Sequence, residues 1–177
     1  KKFPKSWSFL WSPEEAEKIS EEHKDQIHFL NKKGTEIVKE YLNSSKMLAY
    51  STGTDWSPFT KGYFKTEKKF QITMDCDSEI KKWLYNLGIP FDKYVFVESD
   101  NSGQAIMLTW KMVIKYWEGM FWDTDLTIFD GSLNWALFYY HESQLFFGND
   151  NVFDQEAEFE KNLEQNKLLN DIKNRIK

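Results

Sequence analysis

The residues of this chain best suited to chemistry are three histidines, one cysteine and a scatter of aspartates, and their spacing decides what they can do. His23 and His28 are five positions apart. On one helix that is a rotation of about 140°, which sends the rings to different faces. His141 has Glu142 beside it but no second histidine or cysteine at ligand spacing. The triplet Asp75-Cys76-Asp77 combines hard and soft donors, yet Asp77 or Asp75 is better used as the cap of a following helix. Metal binding therefore has no local pattern behind it, and no metal or cofactor is expected.

Nucleophilic catalysis has one pair worth naming, Cys76 with His141. A cysteine just ahead of a helix gains thiolate character from the exposed backbone amides, while Asp75 and Asp77 oppose it by like charge. Paired carboxylates are the other route. Asp123, Asp125 and Asp130 surround the start of an aromatic segment with Trp122 and Trp135, and Asp150 and Asp154 follow it. Acids beside tryptophan faces suit a sugar cleft, but aspartate in Asp-Gly or Asn-Asp contexts is a turn former. The enzyme alternative rests on these two sets. The main reading assigns no catalytic residue.

Gly131 and Gly148 are isolated and fit turns, so no phosphate loop is present. The chain carries 28 acidic against 23 basic residues, a formal charge of −5, with the signs interspersed. Nucleic-acid binding needs a basic stripe. The only basic run, Lys61, Lys65, Lys68 and Lys69, is diluted by Glu67 and reads as a solvated loop. No nucleic-acid partner is expected.

These residues must be positioned by a fold that the patterning predicts in outline. Ser12-Pro13-Glu14-Glu15 is a capping box opening a helix with Ala16, Ile19, His23, Ile27 and Leu30 inward; Gly34 ends or bends it, and Thr35–Leu42 continues helically. Phe3, Trp7, Phe9, Leu10 and Trp11 form an edge strand or strap. Asn43 to Gln71 shows no clean period and reads as an aromatic-pinned loop excursion. Ser78–Leu87 is a helix stopped by Gly88 and Pro90. Tyr94–Glu98 and Gln104–Leu108 read as a hairpin across Ser99-Asp100-Asn101-Ser102-Gly103, and Trp110 to Met120 as a helix capped by Thr109. Leu126–Asp130, Asn134–Tyr140 and Gln144–Gly148 form a three-stranded meander. Gln155–Ile176 is a terminal helix with acids early and bases late.

The expected fold is thus a single α+β domain over residues 1–177: a mostly antiparallel curved sheet of four to six strands, hairpin plus meander, covered mainly on one side by helices. Trp83, Leu84, Val95, Val97, Ile106, Leu108, Val113, Trp117, Ile128 and Phe138 are expected in the core. With 177 residues there is material for one substantial core. No apolar run approaches the roughly 20 residues of a membrane helix. Cys76 is alone, so no internal disulfide forms, which suits a reducing compartment and a cytoplasmic location.

In the central meander strand, Trp135, Leu137 and Tyr139 alternate with Ala136, Phe138 and Tyr140, so neither face has the polar residues of a solvated side. If one face is left open, its aromatics form a binding hot spot; if both are covered, the same rings are core. The open-face reading puts a protein-binding surface at Trp135, Tyr139, His141, Glu142 and Asp150.

The run Leu126-Thr127-Ile128-Phe129-Asp130-Gly131-Ser132-Leu133-Asn134-Trp135-Ala136-Leu137, continuing to His141-Glu142 and Phe146-Phe147-Gly148, resembles a pattern in small bacterial cytoplasmic proteins. Some of these look like immunity proteins, encoded beside secreted polymorphic or contact-dependent toxins, which bind and occlude the cognate toxin. The likeness spans Tyr94 to Gly148, including Thr109-Trp110 and the Trp117–Trp122 region. It implies a non-catalytic protein-binding domain whose partner is a toxin domain, and it carries over no catalytic residue.

Overall fold

A computed structural model describes residues 17–44, 50–51, 56–57, 59, 62–99, 104–122, 124–152 and 154, and, in the terminal stretch, 156–157, 159–160, 163–164 and 166–167. The capping box at Ser12, the strap from Phe3 to Trp11, most of the Ser99–Gly103 connection, Asp123 and most of the helix expected over Gln155–Ile176 lie outside the described residues.

The first long helix of the sequence reading is instead a helix, a strand and a helix. Helix α1 (Glu21–Lys24) is capped by Ser20, whose side chain accepts from the His23 amide. The chain then leaves the helix, because Gln26 bonds Thr109 twice: its carbonyl accepts from the Thr109 amide at 3.2 Å and its Oε1 from the Thr109 hydroxyl at 2.9 Å. Strand β1 (Ile27–Phe29) follows. His23 and His28 therefore stand on different elements. Helix α2 (Lys32–Ser44) begins where Asn31 Oδ1 accepts from the Gly34 amide at 2.9 Å. Gly34 thus lies in the first turn of a helix and terminates none; the asparagine side chain supplies the missing acceptor.

After the short pair β2 (Tyr50–Ser51) and β3 (Trp56–Ser57) comes β4 (Phe64–Gln71), a strand where a loop was expected. Its middle is exposed, so it lacks the alternation that marks a half-buried strand. Helix α3 (Asp77–Tyr85) starts one residue earlier than expected, with Cys76 rather than an aspartate at the cap position. It ends through Gly88 at φ +78°, a left-handed conformation that glycine adopts freely. Next are β5 (Tyr94–Ser99), β6 (Ile106–Thr109), α4 (Trp110–Lys115), α5 (Trp117–Met120), β7 (Leu126–Phe129), β8 (Trp135–Tyr140) and β9 (Gln144–Asn151). The expected single helix over 110–120 is broken at Tyr116.

Seven strands form one sheet in the order β1-β6-β5-β7-β8-β9-β4, with every neighbouring pair antiparallel. The β5–β6 hairpin and the β7–β8–β9 meander are present as expected, joined by the β5–β7 pairing; β1 and β4 are the strands the sequence reading lacked. The α+β class holds.

Both faces are covered. On one, Ile27, Val95, Val97, Ile128, Leu137 and Phe147 pack with Ile80 and Leu84 of α3 and with Trp110, Val113 and Trp117 of α4 and α5. On the other, Phe129, Ala136, Phe138 and Phe146 pack with Val38 and Leu42 of α2, with Phe59 and with Phe64. Of the expected core residues all are buried except Trp83, which is half-buried against Phe70.

Candidate functional site

Closure of both faces settles the two readings of the central strand. Trp135 is 6% exposed and Tyr139 1% exposed. They are core rings, and the open aromatic face expected of them is corrected: α3 to α5 occupy that side, and Trp110 and Phe147 pack against Trp135. Asp150 is exposed at φ +59°, but it belongs to the far end of β9, where Asn134 Nδ2 donates to it at 3.5 Å. Six residues of strand separate it from the β8–β9 turn, about 20 Å. The structure does not bring it to His141 and Glu142.

What the register does assemble is one end of the sheet. Leu126 lies opposite Tyr139, Tyr140 opposite Gln144, and Gln144 opposite Gln71. The segment before β7 and the segment after β4 therefore flank the β8–β9 turn. Asp125 is the pivot. Its Oδ1 accepts from the His141 backbone amide at 2.8 Å and stands 2.7 Å from His141 Nδ1. With the Asp125 carboxylate as acceptor, Nδ1 is the donor of this bond. Nε2 stands 3.9 Å from Glu142 Oε1. The Tyr140 ring meets the imidazole edge-on at 4.4 Å.

The turn is held from the β4 side as well. Gln71 Nε2 donates to the Ser143 carbonyl at 3.0 Å, and the Ile72 amide donates to the same oxygen at 2.8 Å. Ser143 takes φ +62°. Nearby in the fold, Trp122 is 57% exposed, and its carbonyl accepts from the buried Tyr139 hydroxyl at 3.2 Å. An exposed indole thus stands on backbone tied to the core. Met74, 95% exposed, follows β4 at the same end. Trp122 and Asp125 acquire this role only through the register: in an antiparallel meander, the residue ahead of β7 must lie beside the residue after β8.

The other candidate chemistry does not assemble. Cys76, at the N-cap of α3, is buried in the core, and among the described residues no hydrogen bond links it to His141, whose Nδ1 faces Asp125. Asp125 and Asp130 lie at opposite ends of β7. Asp130 is 4% exposed and does structural work: its carboxylate accepts from the Ser132 amide and hydroxyl, and Lys93 Nζ lies 3.1 Å away. Burial pushes its pKa up, but the bonds from Ser132, Lys93 and Trp135 outweigh burial, and the net shift is downward. Asp154 Oδ1 accepts from the amides of Glu156 and Ala157. Among the described residues no three His, Cys, Asp or Glu side chains are grouped to hold a metal ion. No described helix is long and apolar enough to cross a membrane.

No family model, curated protein or solved structure matches the chain.

Proposed function

We propose that this chain is a non-catalytic protein-binding domain that contacts its partner through the sheet end carrying Trp122, Asp125, His141 and Glu142. The observation that carries the reading is the exposure of Trp122 on backbone that Tyr139 bonds to the core. An anchor ring fixed before association loses little freedom on binding, and interface hot spots are rich in tryptophan for that reason. Asp125 and Glu142 give this end negative charge, which favours a basic partner surface and speeds encounter with it.

The inhibitor-like role implied by the resemblance fits this surface: a bacterial cytoplasmic protein that occludes the basic cleft of a nucleic-acid-attacking toxin domain by stoichiometric binding. The expected partner is encoded immediately beside this chain, as a large secreted protein with a variable C-terminal domain. Titration calorimetry of the purified chain against that domain should give one-to-one binding. Trp122→Ala should weaken it by about 30-fold or more, the effect of losing a hot-spot ring, while Glu142→Lys should mainly slow association. Unchanged affinity in both variants, or hydrolytic turnover abolished by His141→Ala, would overturn the reading.

A further inference from the structure

Strand β4 closes the sheet against β9 on one side only. It is last in the strand order, and among the described residues its ladder runs to β9 alone, from Phe64 opposite Asn151 to Gln71 opposite Gln144. It is eight residues long. Sheets ordinarily keep such edges short, bulged or covered, because a row of unpaired N–H and C=O groups recruits another strand.

The side chains of this edge select what it can recruit. Lys65, Lys68 and Lys69 are exposed against one acid, Glu67, in a chain of net charge −5. Lys69 lies opposite Phe146 on the α2 side, with its Nζ 5.2 Å from the Phe146 ring centre. Lys68 lies opposite Phe147, on the side of α3 to α5. Cations therefore project from both faces of the edge. Paired centrally, a second β4 would set Glu67 opposite Lys68, yet it would bring three lysines against one acid to an edge that is already net positive, whereas a strand rich in acids brings charge of the opposite sign.

We propose that the open edge of β4 takes up an extended acidic segment of a partner protein as an additional antiparallel strand. Backbone hydrogen bonds would supply the register, and Lys65, Lys68 and Lys69 the preference for glutamate or aspartate. This surface is distinct from the one built around Trp122, and neither depends on the other.

The test uses the full chain, isotope-labelled, and a capped synthetic peptide of alternating glutamate and threonine. Two control peptides replace either every threonine by proline or every glutamate by lysine. Addition of the glutamate–threonine peptide should slow amide exchange and shift resonances within residues 64–71, and the proline and lysine peptides should do neither. Combined Lys65→Glu, Lys68→Glu and Lys69→Glu should weaken the peptide by about tenfold or more, and salt at about 0.5 M should weaken it in the parent chain. If the triple reversal unfolds, Lys68→Glu alone should give a smaller loss in the same direction. Equal binding of the proline peptide would show charge attraction without strand addition and overturn the proposal. So would absence of protection in β4, or self-association through β4 in the absence of peptide.

Discussion

The ring of Phe64 occupies the space that a side chain at position 148 would need. A β-carbon on Gly148 would overlap Cδ2 and Cε2 of Phe64. Glycine here lets the edge strand's ring close over the sheet beside Phe59, which stacks on it at 5.5 Å. Gly148→Ala should therefore cost about 1–3 kcal/mol, the range for overpacking a core. Phe64→Leu in that background should recover part of the loss. Urea unfolding of the two single variants and the double variant measures the coupling; additive effects would refute the contact.

Asp130 predicts an acid sensitivity. Its pKa in the folded chain is lowered, net of burial. The sign follows: the ionised carboxylate stabilises the fold at pH values above the unfolded value of about 3.9, and that stability is lost as pH falls through the lower folded value. Asp130→Asn should cost about 1–3 kcal/mol at neutral pH and flatten the loss of stability as pH falls from neutral to below the unfolded value of about 3.9. Chemical denaturation across that range checks both.

A bond between helices gives a third prediction. Trp117 Nε1 donates to Asp77 Oδ1 at 2.9 Å, tying α5 to the start of α3. The Asp77 carboxyl is held below its ordinary pKa first by Lys81 and then by Trp117. Asp77→Ala should lower stability by about 1 kcal/mol. Lys81→Ala should cost less, since the lysine pair is exposed to solvent. Thermal unfolding of both variants ranks the two partners.

Tyr139 and Trp122 should separate cleanly. Tyr139→Phe removes the hydroxyl bonded to the Trp122 carbonyl and should cost about 0.5–1.5 kcal/mol. Trp122→Ala should change stability by less than about 0.5 kcal/mol, as for a surface position. A large loss of stability in the second variant would mean that the indole is structural.

Asp125 should matter locally. Asp125→Ala removes the acceptor of both the amide and the ring of His141. Amide exchange at His141 should accelerate with little change in global unfolding. No acceleration would show that the contacts from Gln71 and Ile72 hold the turn alone.

The sequence by itself determined the α+β class, the hairpin, the meander and nearly all of the expected core. Those depend on short-range causes: β-branched and aromatic runs in β5 to β9, turn residues such as Asp130-Gly131-Ser132 that bound them, and the Gly88 stop. Tertiary structure decided the rest. Ile27–Phe29 could complete a helical stripe or alternate as a strand, and only the ladder to β6 and the two Gln26–Thr109 bonds chose between them. Strand β4 has too little buried surface to announce itself, and pairing with β9 made it regular. Whether Trp135 and Tyr139 were surface or core turned on α2 and on α3 to α5 covering opposite faces of one sheet, a long-range outcome that alternation within β8 leaves open. His141 was visible in the sequence, but its partner Asp125 and the neighbouring Trp122 were set by register, because antiparallel pairing joins residues far apart in the chain.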